Sequence, residues 1–113
     1  MSTADHTLFA QIVGLNGIAF GERRYGMAYH LLMAALHCAE DAADEARLAE
    51  VATRFRDHRD RTDALVPPHK YSTGAAHMGR SIFDLGASQA ESVRSRIQSV
   101  ERIRRNQPKL SER

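Results

Sequence analysis

The segment that most restricts what this chain can fold into is a polar turn, Gly21-Glu22-Arg23-Arg24, followed by Ala28, Leu31, Leu32, Ala35, Leu36 and Ala39. Placed at about 3.6 residues per turn, these six positions fall on one stripe of a helix. Such a stripe has to be buried, so the segment reads as the second arm of a helical hairpin. Composition agrees. Three prolines and seven glycines interrupt 113 residues, aromatics make up 6%, and tryptophan is missing, a balance that favours helix over sheet. A chain of this length holds one core.

Three further helices follow from the pattern. Thr3 or Asp5 is expected to cap the first, whose apolar row is Leu8, Ile12, Leu15 and Ala19 with Phe9 and Val13 beside it, ending near Phe20 or Gly21. The short turn after it has the length that joins two antiparallel helices, the second running from Arg24 to about Ala43. Asp44 caps a third helix in which Leu48, Val51, Ala52, Phe55, Thr62 and Leu65 recur, until Pro67-Pro68 ends it. Ser72 or Thr73 is expected to cap the fourth and longest, which reaches Asn106 and would span about 50 Å. Its seam is Gly79, Phe83, Gly86, Ala90, Val93, Ile97 and Val100, flanked by Ile82 and Ile103. The two glycines leave two readings open: close backbone approach, or a helix that begins only after Gly86 behind a mobile 74–86 segment.

Charge is divided along the chain. Residues 1–56 carry five Lys/Arg and seven Asp/Glu, whereas residues 57–113 carry eleven and seven. Arg94, Arg96, Arg102, Arg104, Arg105, Lys109 and Arg113 make the C-terminal part basic, which suits either a solvated helix end or a phosphate or acidic partner. No run of about 18 apolar residues and no charged start leading into an apolar stretch is seen, so a cytoplasmic chain without a membrane span is expected. Cys38 has no second thiol to pair with and is read as a small packing residue.

The polar residues offer few sites. His30 and His37 lie about 10.5 Å apart along a helix, too far for one ion, and His37 with Glu40, Asp41 or Asp44 has metal spacing only on a face expected to be solvated. His58, among Arg56, Asp57, Arg59, Asp60 and Arg61, reads as part of a paired, solvated surface. The best polar concentration is the 67–74 loop with Arg80. There His69, Lys70, Ser72, Thr73 and Arg80, together with helix amides, form a candidate anion site without the phosphate-loop pattern. No nucleophile-base arrangement and no apolar carboxylate pair is found, so neither an enzyme nor a metal or other cofactor is expected. A DNA-reading helix-turn-helix is not seen either, and nucleic acid is not the expected partner.

Tyr25, Ala28, Leu32 and Ala35, behind their tight turn, resemble the second helix of a tetratricopeptide-type repeat, a likeness that covers residues 8–42. Asn16 stands where that family prefers glycine, Gly17 is one step out of register, and Glu40 stands where a proline is common. At the family's period of about 34 residues the matched slots hold Arg59, Thr62, Val66 and His69, so there is no second copy. The resemblance implies protein or peptide binding. A single unit needs neighbours to cover its apolar face.

The expectation is therefore an all-α, four-helix antiparallel bundle over residues 1–106 with a tetratricopeptide-like N-terminal hairpin, and a basic tail over 107–113. Leu31, Leu32 and Phe83 belong to its core. Its expected role is non-enzymatic protein–protein interaction or adaptor work, with Val93, Arg94, Ile97, Val100, Arg102 and Arg105 forming the partner surface and a homodimer closing on the C-terminal helix. The competing reading is an anion or nucleic-acid binder using the 69–80 loop and the basic end.

Overall fold

A computed structural model describes residues 7–65, 69–75 and 79–107. Four helices account for most of them: α1 (Leu8–Gly21), α2 (Tyr25–Asp41), α3 (Glu45–Asp63) and α4 (Ile82–Asn106), with a 3-10 turn at Thr73–Ala75. No strand occurs among the described residues, and the fold is an all-α bundle. None of these helices is long and apolar enough to cross a membrane.

Local chemistry sets each boundary. Thr7, rather than Thr3 or Asp5, caps α1 through its hydroxyl, which accepts from the Ala10 amide at 3.1 Å. Thr3 and Asp5 themselves lie outside the described residues. The α1–α2 and α2–α3 turns close alike. In the first, Arg24 N–H reaches Ala19 O and Arg23 N–H reaches Phe20 O; in the second, Asp44 N–H reaches Ala39 O and Ala43 N–H reaches Glu40 O. This is the Schellman pattern, which requires a left-handed residue at its corner, here Arg23 (φ 63°) and Ala43 (φ 49°). Asp44 then caps α3 by accepting from the Arg47 amide at 3.1 Å.

Two helix limits differ from expectation. α3 stops at Asp63, its last turn closed by Ala64 and Leu65 amides, so Leu65 lies beyond the helix and Pro67-Pro68 fall outside the described residues. α4 starts at Ile82, not at Ser72 or Thr73 and not after Gly86. Ser81 caps it by accepting from the Asp84 amide at 3.1 Å. Gly79, at φ 71°, belongs to the approach to this cap and not to the helix. At 25 residues α4 is still the longest helix, but it spans about 37 Å rather than about 50 Å.

The core is formed by Leu32, Ala35, Leu36 and Ala39 of α2, Leu48, Val51, Ala52 and Phe55 of α3, and Phe83, Ala87, Ala90 and Val93 of α4. Each large side chain here contributes about 1.5–3 kcal/mol by leaving water. Ala28 is fully buried as well, and Cys38 packs against the cluster as a part-buried neighbour. α3 and α4 share the most extensive contact, while α1 packs mainly on α2. Gly86 is where α4 meets α3: a Cβ there would lie 2.4 Å from Phe55 Cε1. Of the two glycine readings, close approach holds at Gly86.

On α1 the buried face coincides only in part with the expected row. Phe9, Val13, Asn16 and Ala19 are buried, whereas Leu8 and Leu15 of the expected row are 65% and 53% exposed. Apolar residues surround this helix, so periodicity alone does not choose the inner side. The Cα trace measures 66 × 39 × 15 Å along its principal axes. A slab about two helices thick has much surface for its volume.

Candidate interaction surfaces and a buried polar cluster

Beneath α1 lies a buried polar group that includes His58, a residue expected on the surface. His58 is only 6% exposed and Asn16 and Thr62 are fully buried. Asn16 Nδ2 donates to Ala28 O at 2.6 Å, and its Oδ1 lies 3.0 Å from His58 Nε2. A backbone carbonyl only accepts, so the Asn16 amide has one possible orientation, and His58 Nε2 must carry the proton. Thr62 donates back to His58 O in the same helix. The His58 ring stacks on Phe20 at 3.9 Å between centroids and meets Phe83 edge-on at 5.7 Å. His58 Nδ1 is buried without a hydrogen bond, its nearest acid, Asp57, standing 3.9 Å away. Burial, aided by Arg61 and Arg54 and opposed by Asp57, lowers the His58 pKa from 6.5 to about 4. The imidazole is neutral at pH 7 and joins α1, α2 and α3. Its neighbours Arg59 and Arg61 do pair at the surface, Arg59 with Asp60 and with Asp84 of α4, and Arg61 with Asp57.

The expected anion set is not brought together. Arg80 is held by Asp84 at 2.8 Å and also reaches Ser88. Thr73 gives both its amide and its hydroxyl to the Asp63 carboxylate, at 2.6 and 2.8 Å, so an acid already fills that position. Ser72 is buried. His69 and Lys70 lie elsewhere, against the start of α2, where His69 meets Tyr25 at 4.7 Å and Lys70 stands over Tyr71 at 5.2 Å. His77, which follows this loop in the sequence, falls outside the described residues.

The histidines on α2 form no metal group: His37 pairs with Glu40 at 3.5 Å, and Glu40 is also taken by Arg96 of α4 at 2.7 Å. Among the described residues no three His, Cys, Asp or Glu side chains are close enough to hold an ion.

Two apolar surfaces remain uncovered by the described residues. Of the expected seam on α4, Val93 is a core residue and Ile97 packs partly against the core, so only Val100, with Ile103, stands free. Val93 is thereby removed from the partner surface, and Arg94 leans on Glu91 at 4.0 Å with its Nε buried. Arg102 and Arg105 are exposed, and Lys109 and Arg113 lie outside the described residues. The second surface was not foreseen. Leu15, Ile18 and Ala19 of α1 and Met27 and Leu31 of α2 line a groove of about 250 Å³ on the hairpin's outer side, with Glu22 and Arg24 at its end. Ile18 is 60% and Met27 53% exposed. Glu22 and Arg24 pair with each other at 3.1 Å, which leaves this end without net charge. Its signal in the sequence was the apolar character of α1 on all sides.

The chain matches no known protein family, and neither curated proteins nor solved structures gave a match.

Proposed function

We propose that this protein is a non-enzymatic helical interaction module that binds another protein through the outer groove of the α1–α2 hairpin. The observation that carries the reading is α1 itself, which buries Phe9, Val13 and Ala19 on one side and leaves Leu8, Leu15 and Ile18 exposed on the other. A contiguous apolar patch on a small chain is the usual mark of an interface. With its charged end self-paired, the groove suits the apolar face of a helix or extended segment. The tetratricopeptide-like character of residues 8–42 supports the same role, since one such hairpin needs a neighbour. The end of α4, where Ile97, Val100 and Ile103 recur beside Arg102 and Arg105, is the surface proposed for a homodimer. A cytoplasmic location fits the unpaired Cys38.

Measuring the affinity of the protein for its partner at rising salt separates this reading from an anion or nucleic-acid binder. An apolar groove keeps its affinity, whereas phosphate-driven binding falls steeply with salt concentration.

A further inference from the structure

Positive charge collects without a carboxylate partner among the described residues where the α1–α2 turn meets the 69–71 segment. A cleft of about 210 Å³ there is lined by Arg23, Tyr25, Gly26, His69, Lys70 and Tyr71, with no acid among them. Elsewhere in the described residues eight arginines stand within 4.0 Å of a carboxylate. Among the described residues Arg23, like Arg56 and the exposed Arg102, Arg104 and Arg105, makes no such pair, and Lys70 stands over the Tyr71 ring at 5.2 Å. Both cations also stand at the positive end of a 17-residue helix, the end that the macrodipole makes unfavourable for them. Like charges gathered at a like-charged helix end repel one another, and an anion between them would be attracted to each and offset that repulsion.

The remaining groups in the cleft are donors. Tyr71 N–H donates to His69 Nδ1 at 3.1 Å, so Nε2 carries the His69 proton and is free to donate. The Tyr71 hydroxyl lies over the first turn of α2, 3.1 Å from where a Gly26 Cβ would be, so a larger residue there would push the hydroxyl aside by a few tenths of an ångström. α2 has no side-chain cap, and among the described residues the amides of Tyr25, Gly26 and Met27 have no acceptor.

We propose that this cleft binds a phosphate-type oxyanion, either the free ion or the terminal phosphoryl group of a small ester. Arg23 and Lys70 neutralise its charge, while His69 Nε2, the Tyr71 hydroxyl and the α2 amides satisfy its oxygens. The site keeps His69 and Lys70 from the sequence-based set and replaces Ser72, Thr73 and Arg80 with Arg23 and Tyr71.

Amide proton–nitrogen spectra of the whole chain at pH 7.5 and low salt test it, titrated with inorganic phosphate, with glycerol 3-phosphate, and with sodium chloride at matched ionic strength. Saturable shifts at Gly26 and Tyr71 are expected with the phosphates and not with chloride, and the tighter ligand identifies the source. Arg23→Asn, which suits the left-handed backbone, and Lys70→Met each weaken binding about tenfold. The double variant removes it while its circular dichroism spectrum stays unchanged. Linear shifts that chloride reproduces, or binding that survives in the folded double variant, would overturn the proposal.

Discussion

A histidine buried beneath Phe20 and tied to Asn16 makes stability depend on pH. The folded His58 pKa of about 4 lies below its unfolded value of 6.5, so between these values the unfolded chain binds a proton that the folded chain refuses. Stability is then full above pH 6.5 and falls as the pH drops towards 4, by up to about 3 kcal/mol. Asp84 acts in a lower window: hydrogen bonds from Arg80 and Arg59 hold its carboxyl below 3.8, so its contribution is lost only under more acidic conditions. Urea unfolding at pH 7 and pH 4.5 should show the loss, and His58→Phe should abolish most of the difference; an unchanged difference would remove His58 as its cause. Asn16→Ala, which strips the His58 Nε2 proton of its acceptor, should cost about 2–3 kcal/mol at pH 7 by the same assay. The burial of this pair was not legible in the sequence, because a histidine within a charged run reads as surface. The sign was there in register: Val51, Phe55, His58 and Thr62 are spaced four, three and four, and Phe9, Val13, Asn16 and Phe20 repeat that spacing.

Helices as elements were easier to read than their ends or faces. The α2 stripe and the α3 cap at Asp44 were legible because small and large apolar residues keep one period and a single polar residue can bond the first free amides. The start of α4 was not, since Ser72, Thr73 and Ser81 are all competent caps and only the left-handed Gly79 between them decides. The inner face of α1 was hidden by its uniform apolarity. Glycines in these helices have opposite roles, which gives a paired prediction. At Gly17, which faces open space, alanine should stabilise the protein by about 0.5–1 kcal/mol. Gly86→Ala should destabilise it by about 2–3 kcal/mol, because the new methyl would overlap the fully buried Phe55 ring, and overpacking there outweighs the gain in propensity. Thermal melts of the two variants should move in opposite directions; a rise for both would mean that α3 and α4 are not in close contact at that point.

Across the whole molecule, a thin slab covers one side of its apolar helices and leaves the others open. The end of α4 is one open side. If two copies meet there, light scattering at micromolar concentration should report a dimer, and Val100→Asp should return it to monomer with an unchanged circular dichroism spectrum, since Val100 is exposed in the single chain. A monomer before substitution would exclude that contact. The loop candidates failed because their partners are only partly set by local spacing: Asp63 reaches Thr73 from the end of α3 across the loop, whereas Arg80 is taken by Asp84 at the i,i+4 spacing that the sequence does show.

The central claim, that the outer groove of α1–α2 is a protein-binding surface, is tested most directly by native mass spectrometry of the protein isolated from its own host, beside an Ile18→Glu, Met27→Glu variant. The account predicts a stoichiometric protein partner on the first and none on the second, with identical circular dichroism for the two purified chains. A partner retained equally by both, or a bare chain in both, would contradict it.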